Sequence, residues 1–322
     1  MSTIAVLVEH DRGVLNEASF EALSIARTLH PSVSALICGG NESLADRVAE
    51  YGATAVVLIE HDLLSDYGPE AWGAALVDWI SGQEKSVEAL IATGTDRGNE
   101  VLATVAAKLD LPMTANCLAI TPGTNGPWNA TRVQWGGSLL EDVTLTASMK
   151  VVTVAHHAVE AVASPVPVAI KTHAPVLDSS VGRSVIVDRV VREAGVTLTT
   201  ARVVVGGGRG VGSPEAFAPL EDLASLLNGK VGCSRAVTNN GWRNHADQVG
   251  QTGTRIAPDI YLACGISGAI QHWVGAMASK KILAINTDKD ANMVSRADYA
   301  VIGDLHKVIP AISEEIRKRR SQ

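Results

Sequence analysis

Charge and aromatic rings are scarce in this 322-residue chain: charged residues make up 19% and aromatic residues 4%. Disorder requires low hydrophobicity and high charge, so a chain that is 46% apolar, with mean hydropathy +0.16, is not of that kind. Its 27 Lys and Arg against 34 Asp and Glu leave a net charge of −7, without the basic face of a dedicated nucleic-acid binder. The single basic run, Arg317-Lys318-Arg319-Arg320, suits a solvated helix end, where the macrodipole favours cations. Cys38, Cys117, Cys233 and Cys264 lie far apart with no CxxC pair. That spacing excludes a zinc cluster or disulfide framework and points to a reducing compartment, the cytoplasm. No stretch approaches the ~20 apolar residues that span a bilayer. The opening MSTIAVLVEHDRG has no basic n-region and meets acid early, so it reads as a buried strand rather than a signal peptide. Also missing are a nucleophile elbow, a paired carboxylate and HExxH. His156-His157 has no partner at metal-binding spacing, and a strand end is its expected place.

What is present is alternation. Ile4–Glu9, Val33–Cys38, Ala55–Ile59 and Glu88–Thr93 are short apolar runs that are not polar on alternate residues, as expected of parallel strands covered on both faces. Helical patterns fall between them near 16–29, 42–51, 69–81 and 97–109. The first carries an approximate stripe of Ala18, Leu23, Ile25, Ala26 and Leu29, with Asn16 as cap. Residues 113–158 read as hairpins and extra strands finishing the first sheet, with turns at Pro122–Pro127 and Gly136-Gly137. The Pro-containing stretch 160–183 reads as a connector with some extended structure. A second series starts at Ala201–Val205, with strands near 230–233, 259–264, 282–286 and 299–303 and helices near 214–228, 267–279 and 304–320. The fold class is therefore α/β, with two domains, 1–198 and 199–322, each a mainly parallel sheet flanked by helices. The boundary falls near 195–200.

The second half holds the candidate chemistry. Gly206-Gly207-Gly208-Arg209-Gly210-Val211-Gly212 follows a strand, so the backbone there turns sharply or admits a close approach. Neither GxGxxG nor a Walker motif fits it, yet Arg209 suits an anion. Ser213-Pro214 then opens a helix in the preferred way. In Asp259–His272 a strand ends at Gly265, and Ser267 is placed to cap the next helix, with bare amides near Gly268 and Ala269. Spacing puts Ile270, Trp273, Val274 and Met277 on an expected core face and Gly268, His272, Gly275 and Ser279 on the other. Ser234, Arg235, Gln251 and Thr252 add donors at strand ends, and Asn286 and Asp304 can hold ribose or an adenine edge or cap helices. With no evident nucleophile, the bound ligand carries the chemistry.

GGGRGVGSPEAF, VGCSRAV, QVGQTG, LACGISGAIQH, AINTD and ADYAVIGDL, in this order over roughly 200–310, resemble the FAD domain of the electron transfer flavoprotein alpha subunit. LVEH, TGTDRG and VVTVAHHAV extend the resemblance more loosely through the first half. The resemblance implies a C-terminal FAD-binding domain of Rossmann-like type and an N-terminal domain that contacts a beta subunit holding AMP. It implies an electron carrier that takes electrons from flavin-dependent dehydrogenases and passes them to a redox acceptor. By the same resemblance, Arg209 and Ser234 bind FAD, Arg235 lies against the isoalloxazine ring, and Val249, Gly250, Gln251 and Thr252 form the loop beside the flavin. Ser267, Gly268, Ala269, Ile270, Gln271 and His272 match the phosphate-binding helix start and the His near the flavin's pyrimidine carbonyl. Asn286, Asp304 and Leu305 match the nucleotide end. A fixed positive charge or strong donor near that carbonyl raises the flavin potential, and Arg235 with His272 is expected to supply it. Asn239, Ala155-His156, Asn292 and Gln134-Trp135-Gly136-Gly137 depart from the family pattern. Two alternatives stay open: a subunit of an electron-bifurcating flavoprotein, and a nucleotide-dependent oxidoreductase with its own substrate site.

Overall fold

The computed structural model describes residues 2–84, 86–123, 126–135, 139–187 and 197–320. The turn expected at Gly136-Gly137, part of that at Pro122–Pro127 and the start of the 195–200 boundary region lie outside the described residues. Two compact units form, one from residues up to 187 and one from residue 197 onward.

The first unit begins with β1 (Thr3–Leu7), a short hairpin of β2 (His10–Asp11) and β3 (Val14–Leu15), and α1 (Ala18–Leu29). It continues through β4 (Val33–Cys38), α2 (Glu42–Ala49), β5 (Ala55–Ile59), α3 (Pro69–Ser81), β6 (Val87–Thr93) and α4 (Asp96–Leu109). A meander of β7 (Met113–Thr121), β8 (Trp128–Gln134) and β9 (Leu139–Leu145) follows, then β10 (Lys150–Val154) and β11 (Ala169–His173). The nine strands run β11-β5-β4-β1-β6-β10-β7-β8-β9, antiparallel only at β7-β8-β9. Alternation along β1 explains the layers. Ile4 and Val6 face the core under α1 and α2, whereas Ala5 and Leu7 face the core under α3 and α4.

One sequence expectation becomes specific here and another changes. The stretch read as a connector with some extended structure supplies β11, which extends the sheet by parallel pairing with β5. Its side chains are almost all exposed, so no apolar periodicity marks it and only backbone pairing makes it a strand. Asn16 caps α1 from one residue further out than expected: the helix starts at Ala18, whose amide donates to Asn16 Oδ1 at 3.2 Å. Among the described residues no helix is long and apolar enough to cross a membrane.

The second unit is a five-stranded, wholly parallel sheet. Its elements are β12 (Val203–Gly207), α5 (Ala218–Leu226), β13 (Lys230–Cys233), α6 (Arg235–Asn239), β14 (Ile260–Cys264) and α7 (Ile270–Ala276). β15 (Ile282–Asn286), α8 (Asn292–Arg296), β16 (Tyr299–Ile302) and α9 (Leu305–Arg320) complete it. The strand order β13-β12-β14-β15-β16 reverses direction across the sheet after β13. The loops leaving β12 and β14 therefore diverge to opposite faces, and a crevice opens between them at the carboxyl edge, the usual ligand position of such sheets. Val205, Leu262 and Ile285 pack under α5 and α9, while Val204, Tyr261 and Ala284 pack on the other face.

Candidate functional site at the carboxyl edge of the second sheet

The crevice holds a cavity of about 260 Å³. Arg209, Ser234, Arg235, the loop Val249–Thr252, Ser267, Gly268, Ala269, Gln271 and His272 line it. A second cavity of about 220 Å³ adjoins and shares Arg209, Ser234 and Ser267 with the first. Asn286 lines the second. The site thus has two lobes that meet at one guanidinium and two hydroxyls.

Glycine makes room for the protein itself here before it makes room for a ligand. Gly206 lies within β12, where a Cβ would stand 2.2 Å from the Tyr261 hydroxyl. Its absence lets that hydroxyl cross the strand and meet His272 Nε2 at 2.8 Å. The close approach expected at the glycine-rich run is thus made by a neighbouring strand's side chain. Gly275 does the same for α7: a Cβ would stand 2.4 Å from the backbone of Gly250, so the 248–254 loop lies directly on the helix. Ser213 accepts from the Ala216 amide at 3.3 Å beside a short turn over Glu215–Phe217, and the helix expected from Pro214 starts only at Ala218.

Three expectations about the α7 region are corrected. The helix runs only from Ile270 to Ala276, because Gly268 takes φ +81° and packs against the Met293 backbone. Ser267 therefore caps nothing, and Ala269 is the cap residue. The expected core face is half right, since Val274 is buried and Trp273 packs against the core. Ile270 and Met277 are 46% and 44% exposed, whereas His272 and Gly275 are buried. Small residues let a helix sit close to another chain segment, and here that segment is the Gly250 loop rather than a ligand.

His272 is 6% exposed, and burial pushes its pKa down from 6.5 to about 4, with the Val249 backbone pulling the other way. It is therefore neutral near pH 7 and shares no positive charge with Arg235. The Tyr261 hydroxyl, whose own pKa burial raises well above 10, has no hydrogen-bond partner but His272 Nε2 among the described residues. Fewest bonds are wasted if Tyr261 donates to Nε2, which places the ring proton on Nδ1. Among the described residues that buried Nδ1 has no hydrogen-bond partner of good geometry, although the Val249 backbone lies near enough to the imidazole to raise its pKa. Arg209 and Arg235 are exposed and have no ion-pair partner among the described residues. The Ser234 and Ser267 hydroxyls likewise make no hydrogen bond among the described residues.

Gln248 escaped sequence reading although it opens the QVGQTG run. It is 2% exposed, accepts from the Thr238 hydroxyl at 2.6 Å and donates to Thr252 Oγ1 at 2.9 Å. Nothing local separates it from Gln251, which is exposed at the rim. Ala236 and Ile266 also line the cavity, and no residue-type signal marks them. At the far end, Asn286 is committed within the chain, donating to the Ile266 carbonyl at 3.1 Å and accepting from the Asp288 amide at 3.1 Å. Asp304 accepts from the His306 amide at 3.0 Å, capping α9. Leu305 is buried under the sheet, and neither it, Asp304 nor Ile270 lines the two cavities. The four cysteines are free and buried, and burial pushes Cys117, Cys233 and Cys264 up to about 12, so they stay thiols.

Comparison with known proteins gives two family matches. Residues 4–178 match the family model of the electron transfer flavoprotein domain, and residues 197–277 match that of the electron transfer flavoprotein FAD-binding domain. The chain is 34% identical to the electron transfer flavoprotein subunit alpha of Thermoanaerobacterium thermosaccharolyticum, over 98% of each chain. It is also 34% identical to the subunit alpha of Bacillus subtilis, over 98% of this chain and 97% of that one. Protein FixB of Bradyrhizobium diazoefficiens is 34% identical over 98% of this chain and 88% of its own.

Proposed function

The chain belongs to the electron transfer flavoprotein alpha-subunit family, and on that premise we propose that it pairs with a beta subunit and carries electrons from dehydrogenase flavins to a redox acceptor in the cytoplasm. Its C-terminal unit carries the family's FAD-binding domain. The observation that carries the reading is the set of donors at the crevice left uncommitted among the described residues: two guanidiniums, two hydroxyls and one buried imidazole N–H. A bare buried N–H costs about 1–3 kcal/mol, so an acceptor on the ligand is the natural partner for His272.

The residues fit FAD. Arg209, Ser234 and Ser267 stand where the two lobes meet, and they would hold the phosphates between a ring lobe and a nucleotide lobe. FAD, when bound, supplies the ring that accepts and releases electrons. Arg235 places a permanent cation at the ring lobe, and His272 offers a neutral donor whose tautomer Tyr261 holds. Thr252 has its oxygen engaged by Gln248, so its own proton is free to point at an acceptor. The Gly250 loop, pressed onto α7, keeps water from the wall behind His272.

The test is the visible spectrum of the chain purified together with its beta subunit. About one FAD per heterodimer supports the carrier, about two support the bifurcating form, and colourless protein overturns the assignment.

A further inference from the structure

Gln248 lines the ring lobe although it is only 2% exposed, and its backbone is pinned on both sides. Its amide donates to the His245 carbonyl at 3.0 Å, and its carbonyl accepts from the Thr254 amide at 2.7 Å. The next amide, that of Val249, donates to the Cys233 carbonyl at 2.9 Å. From this fixed base the side chain joins two walls of the lobe. Thr238, on the helix α6 that Arg235 begins, donates to Gln248 Oε1 at 2.6 Å, and Gln248 Nε2 donates to Thr252 Oγ1 at 2.9 Å. We propose that Gln248 is a positioning residue for the cofactor ring: it holds the Thr252 hydroxyl with the oxygen toward the protein and the proton toward the ring lobe, for donation to an acceptor atom of the ring. The assignment rests on that lobe taking FAD, and it adds a residue that acts on the ring through Thr252.

The direction of these hydrogen bonds decides the chemistry. Turned over, the Gln248 amide would present its oxygen to Thr252, which would then spend its proton on the protein. The separations decide against that. O–H···O bonds run about 2.5–3.0 Å and N–H···O bonds about 2.7–3.2 Å. The 2.6 Å contact is therefore the Thr238 hydroxyl on the amide oxygen, and the 2.9 Å contact is the amide nitrogen on the Thr252 hydroxyl. Thr238 is anchored in turn, since its hydroxyl also lies 3.0 Å from the Arg235 carbonyl within α6. With its oxygen taken by Gln248 Nε2, the Thr252 hydroxyl has no acceptor for its proton among the described residues. Thr252 is exposed at the lobe, so a bound ring supplies that acceptor. Hydrogen bonds to charged acceptors are the stronger ones, so a donor fixed in advance stabilises the ring more after it has taken up electrons than before. That difference raises the potential at which the ring is reduced.

The test is a potentiometric titration of bound FAD in the full-length chain purified with its beta subunit. Gln248→Met fills nearly the same space without hydrogen bonds, and Thr238 keeps the Arg235 carbonyl as acceptor. It is expected to lower the first reduction potential by about 60 mV, a tenfold change for one electron. Thr252→Val alone is expected to do as much. Adding Gln248→Met to Thr252→Val is then expected to change the equilibrium by less than about twofold, because the hydroxyl through which Gln248 acts is gone. A residue that only supported the fold would shift both backgrounds alike. Should Gln248→Met fail to fold, Thr238→Val, at the half-buried far end, is expected to shift the same equilibrium roughly threefold in the same direction. With FAD present in the unaltered protein, an unmoved potential in Thr252→Val or in whichever of the other two folds, or equal shifts in both backgrounds, overturns the role of Gln248 alone. Unaltered protein that holds no FAD overturns the FAD reading and this role with it.

Discussion

The two sheets treat their carboxyl edges in opposite ways. In the first unit the edge beside β1 is filled by the chain's own partners. The Glu9 carboxylate accepts from Thr95 at 2.5 Å and Asn16 at 3.2 Å, the Thr93 hydroxyl donates to the Ala18 carbonyl at 2.6 Å, and Arg97 pairs with Asp11 at 3.5 Å. An open crevice of about 730 Å³ lies there, yet most of its polar groups are already engaged. In the second unit the same edge keeps Arg209, Arg235, Ser234, Ser267 and His272 Nδ1 without side-chain partners of good geometry among the described residues. The two sheets thus differ in how many of the polar groups at the carboxyl edge the chain itself engages, and the size of the opening does not follow that difference.

Breaking the loop-on-helix contact in the second unit should have the largest effect. Gly275→Val would drive a side chain into the Gly250 backbone, which cannot yield as a side-chain tip can. The expected result is a loss of roughly 3 kcal/mol or more in thermal or denaturant unfolding, with FAD absent from purified protein. Unchanged FAD content would mean that the Gly250 loop does not shape the site.

Acid should separate the units. The folded pKa of His272, about 4, lies below its unfolded value of 6.5, so the unfolded state binds the extra proton between those values. Its contribution is complete above about pH 6.5 and is lost as pH falls toward 4, a change of about 3 kcal/mol. His272→Gln should flatten that slope in denaturant titrations at several pH values. Glu9 has the opposite sign: burial raises its pKa, so the neutral form suits the fold and stability is lost as pH rises through that value. Glu9→Gln should therefore stabilise the first unit at about pH 8 more than at about pH 5, and equal effects at both would refute the reading.

Smaller still is the effect of Arg235. A unit charge about 4 Å from developing charge is worth about 4 kcal/mol at an effective dielectric near 20. Solvent at this exposed site should halve that, so Arg235→Ala should lower the first reduction potential by on the order of 80 mV, with Arg235→Lys recovering part of it. A potentiometric titration that moves by less than about 10 mV would remove Arg235 from that role. The smallest change is expected from Asp304→Ala, a loss of about 1 kcal/mol from the α9 cap with FAD affinity unchanged. A tenfold rise in FAD Kd, by contrast, would place Asp304 at the nucleotide.

Most strands and helices were legible because burial on both faces writes continuous apolar runs, as at Val33–Cys38, and burial on one face writes a helical stripe. β11 was not, since a strand whose side chains are exposed carries no such pattern. The proposed donors of the site stand out in the sequence as residue types at expected strand ends, and Arg209, Ser234 and Arg235 line the crevice. His272 was found, but its surroundings were not. Helical spacing gives the angle between residues and not how far around the helix the burial extends, so His272 and Gly275 were read as open although they are buried beside Val274. Gln248 was missed because its engagement with Thr238 and Thr252 belongs to a folded loop.

Residue order alone determined the alternation of strands and helices, the clustering of donors after residue 200 and the lack of any nucleophile at a recognisable elbow, since each depends on neighbours in the chain. Tertiary structure decided that His272 is neutral, that Gly206 exists for Tyr261, and that Glu21 meets a histidine pair 136 residues away. Those facts follow from desolvation and from contacts across the chain, and neither is a property of any short segment.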